Sequence, residues 1–151
     1  KLGNVEEDVD VRMAAASTLG NIATGDDAEV VEALKQAMNE TDPQKAELVW
    51  NAASALARLG REEAVPTMMK LLNRDELAKM KVYDREDPRR ADFRPLTDLE
   101  QQRFLTNAME SAAKLKVPEI QAQLRKIAQT DPSMRVRAMA VEVLNGGKAT
   151  E

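Results

Sequence analysis

Val11-Arg12-Met13-Ala14-Ala15-Ala16-Ser17-Thr18-Leu19-Gly20-Asn21-Ile22 is the stretch that decides how this chain folds, because it comes back. A second copy runs from Leu48 to Leu59, carries Ala52-Ala53-Ser54-Ala55-Leu56, and closes at Gly60. A third, weaker copy from Phe104 to Leu115 keeps Ala108, Ala112 and Ala113 in register. A fourth opens on Val136-Arg137-Ala138-Met139-Ala140 and reaches Leu144. Within each copy the apolar residues recur at the steps of one helix face. A helical unit that returns along a chain buries its apolar face on its neighbours, which is the logic of a stacked array. Such arrays mostly bind other macromolecules. The repeat therefore speaks of architecture and does not name a partner.

Working outward, each of the first three copies is paired with a second helix. Asp8 can cap the first copy by accepting from the free amides of its opening turn. Thr24-Gly25-Asp26-Asp27 turns the chain, and a helix follows from about Ala28 to Asn39 with Val30, Val31, Leu34 and Met38 inward. Thr41-Asp42-Pro43 opens the next unit, since proline fits a first helical turn where no amide partner is missed. Its helix runs to Leu59, and its mate covers about Glu63 to Asn73 with Met68, Met69, Leu71 and Leu72 inward. Thr97 and Glu100 form a capping box with Leu96 as a staple, starting a helix that runs to about Lys116. Pro118 to Gln129 is the next helix, burying Ile120, Leu124 and Ile127. Thr130-Asp131-Pro132 repeats the opening at Thr41, and a last helix reaches Leu144. The expectation is seven helices and no strand. The period fails only in an insertion over residues 74–97, where Asp75 to Met80 reads as an extra helical turn and Lys81 to Leu96 as a loop.

These residues resemble HEAT repeats of the short bacterial, phycobilisome-lyase-like type. The matching positions are Val11-Arg12, the alanines after it, and Leu19-Gly20 before the turn. Asp27-Ala28-Glu29-Val30 and Glu63-Ala64-Val65-Pro66 resemble that family's turn into the second helix. The fourth copy keeps Val136-Arg137 but has Asn145 where the motif has glycine, and the third departs furthest, with Phe104-Leu105 and Ala113. The resemblance implies an all-α, right-handed α-solenoid of about three and a half HEAT-type helical hairpins. It would form a single domain over residues 1–151, itself a segment of a longer protein. In that family the second helices line a concave face where ligands commonly bind. Here that face would present Glu29, Glu32, Lys35 and Gln36, then Thr67 and Lys70, then Gln121 and Arg125, a mixture of charges.

Composition narrows the function. The net charge is −4, which argues against a phosphate-binding surface, so nucleic acid is not expected as a partner. No run approaches the ~18 apolar residues of a membrane span. The absence of histidine and cysteine removes the commonest general base, thiolate metal sites and disulfides. There is no phosphate-binding glycine loop and no nucleophile motif, so no enzyme, cofactor or metal is expected. The acidic groups Glu6-Glu7-Asp8 with Asp10, and Asp26-Asp27, lack the spacing of a calcium loop and read as helix caps. A cytoplasmic location is expected, with export left open.

The insertion is the strongest candidate for function. Of one Trp, one Tyr and two Phe in the chain, Tyr83 and Phe93 lie within it, beside Arg85, Arg89, Arg90 and Arg94. Aromatic and arginine side chains dominate protein interfaces. The candidate contact residues are these six, joined by Lys35, Lys70 and Arg125 from the second-helix face. The competing reading has Tyr83 and Phe93 folding back over the gap between the second and third units. Trp50 is expected to pack against a neighbouring unit or beneath the insertion, and the resemblance implies that Arg12 and Arg137 make structural contacts near their own or the adjacent turn. The expected function is a non-enzymatic protein-binding scaffold or regulatory module. The alternative is an accessory subunit of an enzyme, handling a chromophore in the manner of a phycobilin lyase, with nucleic-acid binding through Lys35, Lys70, Arg125 and the insertion's basic residues the less expected third reading. Apolar faces at the two ends would allow self-association.

Overall fold

A computed structural model describes residues 28–83 and 92–146 of the chain. The first copy of the repeat, with Arg12 and both acidic groups, lies outside the described residues. In chain order the elements are α1 (Ala28–Met38), α2 (Ala46–Arg58), α3 (Val65–Leu71), α4 (Arg74–Lys79), β1 (Lys81–Tyr83), β2 (Phe93–Pro95), α5 (Asp98–Ser111), α6 (Pro118–Thr130) and α7 (Met134–Leu144). Single 3-10 turns at Pro43–Lys45 and Glu62–Ala64 lead into α2 and α3, and one at Ala112–Lys114 closes α5.

The helices lie in two layers, the arrangement the repeat demands. α2, α5 and α7, which carry the second, third and fourth copies, pack in succession. α3 packs on α6 in the other layer, and α1 packs on α2. α2 shows why the motif is rich in alanine. It is touched by α1, α3 and α5, and every residue from Ala52 to Ala57 is buried. A helix enclosed on most sides needs small side chains so that its neighbours can approach. Leucine, isoleucine and methionine fill the space between layers: Leu34, Leu48, Leu56, Met68, Leu105, Met109, Ile120 and Leu124 are fully enclosed.

The helix ends follow local chemistry. Asp42 accepts from the Gln44 amide, Asn73 from the Asp75 and Glu76 amides, and Ser133 from the Val136 amide. The capping box at Thr97 and Glu100 is present in both directions. α2 stops at Gly60, whose φ of 73° lets the Arg61 amide reach the Leu56 carbonyl while the Gly60 amide takes that of Ala57. That paired closure needs a left-handed residue, which glycine adopts without strain.

The insertion corrects the expectation of no strand. β1 and β2 form an antiparallel ribbon with Lys81 opposite Pro95, Val82 opposite Arg94 and Tyr83 opposite Phe93. Three residues are too few to display a period of two in the sequence. The alternation becomes visible only once the strands are paired: Val82 is 3% exposed, while Lys81, Phe93 and Pro95 face out. The extra helical turn is α4, which buries Leu77.

Candidate functional site

The ribbon's two faces have different jobs. On the inner face Val82 enters the core, and its cross-strand neighbour Arg94 reaches Glu100 in the first turn of α5. The Arg94 guanidinium donates Nη1 to Oε1 at 2.7 Å and Nη2 to Oε2 at 3.1 Å. Glu100 also accepts the Thr97 amide at 3.0 Å. These hydrogen bonds, Arg94 first and Thr97 next, hold the Glu100 carboxyl down at about 2. The ribbon is thus clasped to α5 by a two-pronged, charge-assisted contact.

On the other face Tyr83 and Phe93 stand opposite one another, with ring centroids 5.6 Å apart and planes at 67°. That edge-on geometry suits the quadrupoles of the two rings. Tyr83 is half-buried beside the turn at Pro43–Lys45, lining a small cleft with Pro43, Gln44 and Val82. Phe93 is 40% exposed. Val82 is buried beneath the ribbon, so of the aromatic pair Phe93 is the ring that faces solvent while Tyr83 rests beside the 43–45 turn. Arg85, Arg89 and Arg90 lie outside the described residues.

The other three candidates are set apart. Lys35, Lys70 and Arg125 lie on α1, α3 and α6, and all three reach solvent. Lys35 pairs with Glu32 at 3.7 Å. Glu63 nearby sits below its ordinary range, held first by its own backbone amide and then by Arg61, with Lys35 adding a weaker pull. On this face Lys35 is thus balanced by Glu32 and Glu63. The structure therefore brings Tyr83, Phe93 and Arg94 together on one ribbon and holds Lys35, Lys70 and Arg125 on three separate helices.

Two features went unread in the sequence. The first is a groove of about 330 Å³ between α2 and α5, lined by Glu47, Asn51, Glu100, Arg103, Phe104 and Asn107. Trp50 meets Phe104 edge-on at 5.4 Å, so the expected packing of Trp50 on a neighbouring unit holds. Arg58 donates to Asn107 Oδ1 at 2.9 Å across the two helices. The available signal was register: Asn51 is the third residue after Leu48, and Asn107 the third after Phe104. The second feature is a brace around Asp131. Arg74 donates Nε and Nη2 to its carboxylate at 2.8 and 3.1 Å, and the Ser133 amide adds a bond at 2.9 Å. Arg137 donates to the Asp131 carbonyl at 2.6 Å, as its expected structural role requires.

Hairpin pairing in two layers is the arrangement of a helical repeat array, and the family described as HEAT repeats matches residues 4–81, just over half of the chain. The chain belongs to the HEAT repeat family. No curated protein and no solved structure matches it. The HEAT match spans the first two copies and ends within β1, so the ribbon's second strand and the groove's α5 wall fall beyond it. No helix among the described residues is long and apolar enough to cross a membrane.

Proposed function

We propose that this HEAT domain is a non-enzymatic protein-binding scaffold or regulatory module, with the ribbon as part of its contact surface. One observation carries the reading: Phe93 is exposed on the outer face of the ribbon, braced edge-on by the half-buried Tyr83, while Val82 and Arg94 fix the ribbon from behind. Rigid aromatic side chains give large contact area at little entropic loss, the property of interface anchors. Lys35, Lys70 and Arg125 belong to the proposal as a second, more polar contact face.

A chromophore-handling role of the phycobilisome-lyase kind would want a large apolar pocket in the second-helix layer. The cavity between α3 and α6 is about 250 Å³ and is lined chiefly by polar and charged groups, among them Arg74, Asp75, Gln123, Lys126 and Asp131. The scaffold reading is the better supported of the two.

The test is comparative capture from lysate of the source organism. The parent chain is run beside Tyr83→Ala/Arg90→Ala/Phe93→Ala and beside a chain with residues 79–94 replaced by a glycine-serine linker. A protein held by the parent and lost by both variants, at unchanged melting temperature, supports the ribbon. A triple variant that melts far below the parent makes these residues core and removes the claim.

A further inference from the structure

We infer that the groove between α2 and α5 accepts an extended peptide segment, with Asn51 and Asn107 bonding to its main chain. The inference rests on the protein-binding reading and names the chemistry of one partner segment. Four observations support it.

Asn51 and Asn107 hold the same position in consecutive copies of the repeat, and α2 packs directly on α5. Packed helices lie ~8–10 Å apart, so matched positions stand side by side at about that spacing. An extended chain advances ~3.3 Å per residue. Two amides so placed meet carbonyl groups two to three residues apart on one peptide.

The orientation of Asn107 is fixed by its neighbour. Arg58 has only donors to offer, so the atom it meets must be Oδ1. The Nδ2 end is left with two N–H donors and no acceptor among the described residues. Among the described residues the Asn51 amide and the Arg103 guanidinium have no side-chain partner either. The uncommitted groups in the groove are therefore mostly donors, and they call for an acceptor-rich ligand.

The carboxylates refine that class. Glu100 is already satisfied by Arg94 and Thr97, and Glu47 lines the same groove. Two carboxylates repel phosphate, so a nucleic-acid backbone is disfavoured. The neutral carbonyls of a peptide suit the donors without that repulsion, and an acidic side chain of the peptide would find Arg103. Phe104, braced edge-on by Trp50, supplies an apolar wall for a peptide side chain.

The probe is a fluorescein-labelled peptide selected from a random phage-displayed library on the intact chain. Its binding is measured by anisotropy and by the emission of Trp50, the chain's single tryptophan. Asn107→Asp keeps an acceptor toward Arg58, and therefore the fold, but replaces the free donors with a carboxylate. Asn51→Asp does the same on α2. Each is expected to weaken the peptide about ten-fold or more, because a bound carbonyl loses its donor and faces a charge. Glu119→Ala and Glu142→Ala, at exposed positions of α6 and α7, are expected to leave binding unchanged, and melting temperatures confirm folding throughout. Peptides that bind both Asp variants as tightly as the parent overturn the groove, as does a library that yields no binder. If the selected peptides bind both Asp variants unchanged but are lost on Tyr83→Ala/Phe93→Ala, the groove falls and the protein-binding reading stands.

Discussion

Asp131→Ala is the perturbation with the clearest expected magnitude. Asp131 is the only charged residue buried among the described residues, and its side chain is 3% exposed. It accepts two bonds from Arg74 and one from the Ser133 amide. Truncation leaves a guanidinium and an amide without their acceptor. Breaking one side of a fully buried pair destabilises by ~3–5 kcal/mol. The Arg74 side chain is 25% exposed, so water can partly replace the lost carboxylate, and the expected loss is about 2–3 kcal/mol. Arg74→Ala strands the more deeply buried partner and should be at least as damaging, at about 3 kcal/mol. The double variant should be little worse than either single one, giving a coupling of about 2 kcal/mol.

Urea unfolding followed by circular dichroism measures all three changes, and in a chain of this size each kcal/mol lowers the melting temperature by about 2–4 °C. Hydrogen exchange adds a spatial readout. Arg74 is the first residue of α4, which leads directly into the ribbon. Loss of its tether should speed exchange at the amides of Leu77, Met80 and Val82 while those of Ala55 and Leu56 stay protected. A loss under about 0.5 kcal/mol for Asp131→Ala, or single effects that simply add, would refute the reasoning.

Two further outcomes follow from the same structure. Glu100 is held at about 2 against an ordinary 4.5, chiefly by Arg94, so its folded value lies below its unfolded one. The stability it contributes is whole above pH 4.5 and fades as the pH falls toward 2, so the stability gap between the parent and Glu100→Gln should close across that window and not above it. Melting curves at a series of pH values check this, and a gap that ignores pH would sink it. The Ser111 hydroxyl is fully buried with no hydrogen-bond partner among the described residues, so Ser111→Ala should raise stability by about 1 kcal/mol in urea melts, and a clear loss would mean the hydroxyl has an acceptor after all.

The sequence made the helices legible for a physical reason. A helical face repeats every 3.6 residues, and α2, α5 and α6 are long enough to show several turns of it. Their ends were legible where one side chain caps its own turn, as at Thr97 and Glu100. The ribbon was not, because its strands are three residues long and their alternation exists only in the pairing. The brace was not legible either. Arg74 and Asp131 are 57 positions apart, and nothing local distinguishes Asp131 from Asp42, which opens an equivalent turn and caps only its own backbone. Charge and aromaticity drew attention to Tyr83, Phe93 and Arg94, and the structure does place those three together. The same criteria passed over Asn51 and Asn107, which carry no charge and stand in helices that otherwise read as core.

The repeat register is what turns that omission into a rule. In a stacked array, equivalent positions in consecutive copies become neighbours, so a polar residue that recurs in register marks a ladder across the helices. Here the position holds Ala14 in the first copy, Asn51 and Asn107 in the next two, and Met139 in the fourth. Neither flanking residue can supply an amide, so the ladder has two rungs and matches only a few residues of an extended chain. A partner held by so short a contact needs a second anchor. Glu100 lines the groove and also receives Arg94 from the ribbon, which makes the groove and the ribbon adjoining parts of one surface. An extended segment lying across Asn51 and Asn107 would then end close to the strand that presents Phe93. On this reasoning the two rungs set the register of the segment, and the aromatic pair on the ribbon contributes most of its affinity.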